Sequence, residues 1–153
     1  MRHISVKAVV VGGVLDLAFS FLSGIVVMAV AGLRADIFSL PPEQQEAALL
    51  AVAQSALDLA LVSIAAGSAM SVLAGYVTGR LAPQAPVLNA ALASLPCALL
   101  GLYGIVNGMP PLPRWAAVLL LPLGPALTSL GGWLSYRGRL NDLAGTAPSV
   151  GEA

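Results

Sequence analysis

Four long apolar stretches alternate with short polar intervals along the chain. The stretches cover residues 8–32, 57–79, 87–107 and 115–136. An α-helix needs about 20 apolar residues to cross the hydrocarbon core of a bilayer, and each stretch is close to that length or longer. The pattern predicts an all-α protein in which residues 1–137 form one domain, a four-transmembrane-helix bundle. Residues 138–153 are small and polar, which predicts a flexible cytoplasmic tail.

The first apolar stretch has two interpretations. Arg2 and Lys7 precede it, and Ala29-Val30-Ala31 has the small residues of a cleavage site, as in a secreted protein's signal peptide. The apolar part of a signal peptide, however, spans about 7–15 residues, and this stretch is longer. It also contains Asp16 and paired glycines. These differences favour a retained transmembrane helix.

The interval before the second stretch predicts a further helix. Pro41 and Pro42 are followed by Glu43 and Glu46, and both prolines and acids suit the first turn of a helix. One interpretation is a single long helix that continues to Arg80. The other is a separate periplasmic or interfacial extension over residues 41–56. Prolines inside the later stretches are expected to kink or interrupt them: Pro96 in the third, Pro122 and Pro125 in the fourth.

Composition supports the membrane interpretation and excludes some partners. Of the 153 residues, 58% are hydrophobic and 9% are charged, whereas soluble domains carry about 25% charged residues. The net charge of zero argues against a nucleic-acid partner. The single cysteine, Cys97, excludes an intramolecular disulfide and a cysteine-rich metal site. The lipid bilayer is the expected surroundings.

Positive side chains predict the orientation. With the N-terminus inside, five fall on the cytoplasmic side and two on the outer side, which is the bias expected of an inner-membrane protein. Both termini are therefore expected in the cytoplasm. The cytoplasmic set is Arg2, Lys7, Arg80, Arg137 and Arg139, and the outer set is Arg34 and Arg114.

Small residues recur every fourth position in three of the stretches. Because lipid supplies no hydrophobic drive between helices, small residues that allow close backbone approach promote helix packing. The alternative is that glycine is simply frequent in membrane helices. Repetition of the spacing favours packing. The predicted packing positions are Gly24, Gly67, Gly75, Gly79, Gly124 and Gly132.

Two helix ends share a short pattern. The string GYVTGR that begins at Gly75 matches GWLSYR from Gly132, and at the same offset Ser71 matches Thr128. An old duplication would explain this. The alternative explanation is that transmembrane helices often finish at the cytoplasmic side with an aromatic residue followed by an arginine. Both interpretations stay open.

The string AGYVTGRLAPQAPVLNAAL, within residues 67–101, carries a resemblance. It resembles an element of small four-helix bacterial inner-membrane proteins in which a helix ends in a GGYVAARIAP-like string, here with the form GYVxGRLAP. Ala74 and the pair Gly79-Arg80 depart from the usual form of that element. The resemblance implies a multi-pass protein of the bacterial inner membrane, and no catalytic role.

The sequence offers little for catalysis. Hydrolysis or group transfer needs a nucleophile with a nearby base, or a metal. His3 lies at the terminus, and Cys97 lies in the middle of a span, where it is expected to pack as a small apolar residue. We expect no enzyme activity, no metal site and no cofactor.

Asp16 is the exceptional charge. It lies about 13 Å along a helix from Lys7, well inside the hydrocarbon, where an acid costs at least ~2.5 kcal/mol and is a candidate functional residue. The alternative is a protonated packing residue. Counted from the cytoplasmic charges, four hydroxyls lie at about the same depth. The predicted buried polar site is Asp16, Ser71, Ser94, Thr128 and Ser129.

Three functions follow from these features. The first is a non-catalytic membrane subunit or accessory partner, which docks another membrane protein or a second copy through its glycine faces. The second is a small proton-coupled transporter that uses Asp16. The third is a lipid- or envelope-associated accessory protein that uses the acidic stretch from Glu43. We prefer the first.

Overall fold

The computed structural model describes residues 4–34, 36–55, 57–107, 117–118 and 120–145. Within these ranges all regular structure is helical, which agrees with the all-α prediction. The helices are α1 Val6–Arg34, α2 Pro42–Ser55, α3 Leu57–Leu81, α4 Pro86–Ala93, α5 Leu95–Val106 and α6 Leu123–Gly145, and a 3-10 turn covers Ile37–Ser39.

Among the described residues, three segments are long and apolar enough to cross a membrane. They are Val6–Arg34, Leu61–Leu81 and Pro86–Val106, of which the last comprises α4 and α5. These segments overlap the first three predicted stretches, and their crossing of a membrane stays a prediction. The chain is compatible with a multi-pass membrane protein on this basis.

The predicted fourth span, 115–136, differs from the observed helix. Its first residues lie outside the described ranges, and α6 starts at Leu123, after the turn at Pro122. Helix α6 then continues to Gly145, so residues 138–145 are helical although they were predicted as part of a flexible tail. This extension contacts α3 at its start, where Arg139 donates a hydrogen bond to the carbonyl of Gly79 at 3.2 Å. Residues 146–153 of the predicted tail lie outside the described residues.

The third span breaks where a kink was predicted. Helix α4 ends at Ala93 and α5 begins at Leu95, with Pro96 in its first turn, where a missing N–H costs no helical hydrogen bond. Between them, the Ser94 hydroxyl donates to the carbonyl of Ala91 at 2.8 Å. The break lets α4 and α5 follow different paths along α1.

The link from α1 to α2 folds back on the end of α1. Asp36 adopts a left-handed backbone conformation, with φ at 49°. The ring of Phe38 then lies against Gly32, and the Gln45 amide donates to the carbonyl of Leu40 at 2.8 Å. Helix α2 covers the predicted extension over residues 41–56 and contacts α1 and α3. Its connection to α3 passes through residue 56, outside the described residues.

Packing is concentrated in one half of the molecule, which we call the closed half. It comprises four segments: residues 5–16 at the start of α1, 71–82 at the end of α3, 85–94 with α4, and 128–139 in α6. There α3 packs on α6 and α1, and α4 packs on α6, through small side chains. The remaining parts of these arms form the open half, which comprises residues 17–34, 57–70, 95–107 and 120–127.

Candidate functional site

Glycines in the closed half sit where backbones nearly touch. A Cβ on Gly75 would overlap the backbone of Thr128, and one on Gly131 would overlap the carbonyl of Val72. A Cβ on Gly79 would overlap the Ser135 hydroxyl, and one on Gly132 would lie 2.8 Å from both the Ala90 Cβ and the Pro86 carbonyl. These positions have no room for any side chain.

Several glycines in the open half have free space instead, although Gly32 is covered by the Phe38 ring. A Cβ on Gly24, Gly67 or Gly124 would meet no atom within 4 Å. Of the six predicted packing positions, Gly75, Gly79 and Gly132 thus make close contacts. Gly24, Gly67 and Gly124 do not. Gly131 makes a close contact that the spacing argument missed, although its pairing with Gly132 was a signal.

Asp16 lies at the boundary between the two halves. Its side chain is buried, at 2% exposed. The hydroxyl of Ser71 on α3 donates to Asp16 Oδ1 at 3.0 Å. On α5, Cys97 Sγ lies 3.7 Å from the hydroxyl of Ser20, one turn of α1 beyond Asp16. Asp16 therefore joins α1 to α3, and Ser20 joins α1 to α5. We call Asp16, Ser20, Ser71 and Cys97 the Asp16 cluster.

The other predicted members of the polar site donate hydrogen bonds to backbone carbonyls three or four residues earlier in the chain. Thr128 donates to the carbonyls of Gly124 and Pro125, each at 3.1 Å, and Ser129 donates to Pro125 at 2.6 Å. Ser94 donates to Ala91. A hydroxyl in a helix readily bonds the carbonyl three or four residues earlier, so equal depth did not make these groups partners of Asp16. Of the four predicted hydroxyls, Ser71 bonds Asp16.

Cys97 and Ser20 belong to the Asp16 cluster, although neither was a predicted site residue. Cys97 was expected to pack as an apolar residue, and the structure places its thiol beside the Ser20 hydroxyl of α1. A separate polar contact lies deeper in the closed half, where Asn89 is fully buried. Its amide accepts from the backbone N–H of Ser5 at 2.8 Å and donates to the carbonyl of Ala85 at 2.7 Å. A lone asparagine in an apolar run was the available signal.

Two grooves open from the Asp16 cluster into the open half. The larger, about 730 Å³, lies between α1 and α5 and has mainly apolar walls, with Ser20, Cys97 and Gly24 among them. The smaller, about 190 Å³, lies between α3 and α6 and includes Ser71, Gly67 and Gly124. Ser71, which bonds Asp16, therefore lines one groove, and the Ser20–Cys97 contact lines the other.

The cluster has the chemistry of a proton or hydrogen-bonding site. In the part of the chain that the structure describes, no three His, Cys, Asp or Glu side chains are grouped as metal ligands. Ser20, Ser71 and Cys97 can each donate to or accept from the carboxyl of Asp16. Two arginines of the described residues form salt bridges, and both bridges lie away from Asp16. Arg34 pairs with Asp58, and Arg80 pairs with Asp142.

Comparison with family models, with curated proteins and with solved structures finds no match to this chain.

Proposed function

We propose that the chain is a multi-pass protein of the bacterial inner membrane, in which α1, α3, the α4–α5 pair and the arm that ends in α6 form a four-helix transmembrane bundle. Charge supports an orientation with both termini in the cytoplasm. The end that holds the N-terminus of α1 and the C-terminus of α3 carries Lys7, Arg80, Arg137 and Arg139 with Asp142. Arg34 lies at the opposite end among four acids: Asp36, Glu43, Glu46 and Asp58.

This orientation follows the positive-inside bias. Reporter fusions after Glu46 are expected to read periplasmic, and fusions after Gly145 cytoplasmic. The opposite readings would reverse the arrangement.

In this membrane the chain acts as a non-catalytic accessory subunit that docks a transmembrane helix of another protein. The observation that carries this proposal is the groove between α1 and α5. Gly24 lies in its wall with no atom within 4 Å of an added Cβ. Around it, Phe21, Ile25 and Leu100 are exposed.

A helix suits the groove because helices in lipid associate by close packing at small residues. The closed half shows what such packing looks like in this chain, at Gly75 against Thr128. The open half has the same kind of surface at Gly24 without a helix against it. A lipid acyl chain would also fit the walls, and it is the alternative outcome of the test.

Tagged protein purified in mild detergent tests the proposal. A photoreactive residue in place of Phe21, an exposed aromatic residue in the wall of the same groove, should attach one membrane protein through a transmembrane segment, and the partner should co-purify stoichiometrically. Gly24→Leu should abolish this, whereas Ala18→Leu, an exposed small residue of α1 outside the groove, should retain it. Cross-linking to lipid alone, or equal co-purification with Gly24→Leu, would contradict a helix in this groove.

Asp16 favours a second candidate, a small proton-coupled transporter. An acid that is 2% exposed in a membrane helix, bonded to Ser71 and beside two grooves, is a candidate proton site. Asp16→Asn keeps the hydrogen-bond acceptor but cannot carry a proton. In proteoliposomes, pH-driven uptake that Asp16→Asn abolishes without loss of helix content would support transport. Unchanged behaviour of the Asn variant would support a structural role.

A further inference from the structure

Hydroxyl groups in the two halves of the molecule differ in what they bond. Thr78 in the closed half donates to the carbonyl of Ala74, one turn earlier in its own helix, at 2.7 Å. The half-buried hydroxyls of Ser63 and Ser68, in the open half of α3, form no hydrogen bond within the described part of the chain. Because an unbonded hydroxyl is unfavourable in hydrocarbon, these two groups need hydrogen-bonding partners from outside the chain.

Both serines line the groove between α3 and α6, together with Ser71. We call it the serine groove. Gly67 and Gly124 widen it, since a Cβ on either would meet no atom within 4 Å. Its volume is about 190 Å³, whereas a water molecule occupies about 30 Å³ in the liquid. The serine groove therefore has room for several water molecules.

The inner end of the serine groove lies beside Asp16. Ser71 lines the groove and donates to Asp16 Oδ1 at 3.0 Å. One turn further along α3, Gly75 lies against the backbone of Thr128 and leaves no room for a side chain. The groove is therefore closed on the side of Gly75, and its serines continue from Asp16 toward the end of α3 that holds Asp58.

The spacing of the serines suits a line of water molecules. At 1.5 Å per residue, Ser68 lies about 4.5 Å and Ser63 about 12 Å along α3 from Ser71. A hydroxyl both donates and accepts, so Ser71 can accept from water in the groove while it donates to Asp16. Acyl chains in the same space would leave the hydroxyls of Ser63 and Ser68 unbonded.

We propose that the serine groove is a water-filled passage that connects Asp16 to the end of the molecule that holds Asp58. Water along its three serines would exchange protons with the carboxyl from that end alone. This inference rests on the proposed membrane bundle and goes beyond the docking of a partner helix, which uses the groove between α1 and α5. It gives the proton-coupled candidate a path, although the passage itself does not depend on transport.

Cysteine labelling from water tests the proposal. Cys97 is the single cysteine, so a Cys97→Ala parent carries none. In that background, Ser68→Cys places a thiol in the serine groove, and Ala69→Cys places one at nearly the same depth on an exposed face outside it. A charged, membrane-impermeant methanethiosulfonate reacts with the thiolate, which forms in water and not in hydrocarbon. Ser68→Cys should therefore react at least about tenfold faster than Ala69→Cys.

Two controls identify the side and the groove. Glu46 is exposed at the same end as Asp58. Spheroplasts and inverted vesicles present opposite sides of the membrane, and Ser68→Cys should label in whichever preparation labels Glu46→Cys, so the result does not depend on the proposed orientation. Adding Gly124→Leu, which fills the serine groove, should remove most of the labelling. Gly24→Leu, which fills the groove between α1 and α5, should leave it unchanged.

Equal rates at positions 68 and 69 would overturn the proposal. Two slow rates would assign the groove to lipid, and two fast rates would show that this part of α3 is not surrounded by lipid. Labelling of Ser68→Cys from the side opposite to Glu46→Cys would also contradict it. Should Ser68→Cys fail to fold, Ser63→Cys and the exposed Val62→Cys provide the same comparison. A lipid-filled serine groove would leave the docking of a partner helix at Gly24 untouched, because that test uses the other groove.

Discussion

The closed and open halves contain the same kind of sequence and use it differently. The face of α3 that carries Gly67, Ser71, Gly75 and Gly79 runs through both halves without a change in spacing. In the closed half, Gly75 and Gly79 touch α6, whereas Gly67 in the open half has no neighbour within 4 Å of an added Cβ. A face of small residues thus allows another helix to pack closely. Whether a helix does pack there depends on the arrangement of the other helices.

Asp16 lies at the boundary between the closed and the open half. Below it, α1 packs tightly, and Gly12 and Gly13 lie against Thr78 and Ala93. Above it, most side chains of α1 are exposed. The carboxyl bonds Ser71 and so links α1 to α3 at this boundary. A buried polar contact at that level fixes the register of the two helices, since each alternative register would leave the carboxyl without its donor.

The largest expected difference between the halves comes from leucine at two glycines of α6. Gly131→Leu forces a side chain into the backbone of α3, and overpacking of this kind costs about 1–3 kcal/mol or more. Gly124→Leu places the same side chain in the open groove between α3 and α6. Thermal unfolding in detergent should show a clear loss for the first variant and none for the second. Equal losses would contradict the difference between the halves.

Two asparagines sharpen the comparison at a smaller scale. Asn89 and Asn107 each donate to the carbonyl four residues earlier, at 2.7 and 2.8 Å, but Asn89 is fully buried and Asn107 is exposed. Asn89→Ala also removes the acceptor for the Ser5 N–H, and such a loss costs about 1–3 kcal/mol. Asn107→Ala should change stability little. Unfolding midpoints of the two variants provide the check, and a larger loss at Asn107 would argue against it.

The smallest expected effect is at the far end of the open half, where Arg34 pairs with Asp58. Asp58 precedes the apolar segment Leu61–Leu81, and the hydrogen bond from Arg34 lowers the pKa of its carboxyl below the ordinary 3.8. A lowered folded-state pKa adds stability at neutral pH, which is lost as the pH falls below about 4. Asp58→Asn should therefore flatten the acid limb of the stability curve slightly. A steeper limb in the variant would contradict this sign.

The sequence predicts the three long apolar helical segments, because helix length and apolarity are local properties. It also places the break near Pro96, since a proline removes a backbone donor wherever it occurs. Which glycines make contacts could not be predicted in the same way. Spacing places Gly24 and Gly75 on helix faces of the same type, but how far two helices splay apart depends on the whole bundle.

The sequence predicts the depth of the polar residues but not which of them bond one another. Depth along a helix follows from residue number, and it places Ser71, Ser94 and Thr128 at the level of Asp16. Direction around the helix and competition with backbone carbonyls decide the actual partner. Thr128 bonds its own helix, and Ser71 bonds the acid. Cys97 lies beside Ser20 of α1, a contact between helices that neither spacing nor depth along one helix specifies.

The central claim, that one half of the bundle is packed and the other is open, is tested most directly by alanine at two glycines of α3. Alanine suits a helix interior better than glycine by about 0.5–1 kcal/mol when there is room for the methyl group. Gly67→Ala has that room, and Gly75→Ala would press its methyl group into the Thr128 backbone. We predict opposite signs for the change in unfolding free energy in detergent, with Gly67→Ala more stable than the parent protein and Gly75→Ala less stable. Changes of the same sign, or a stabilising Gly75→Ala, would contradict the account.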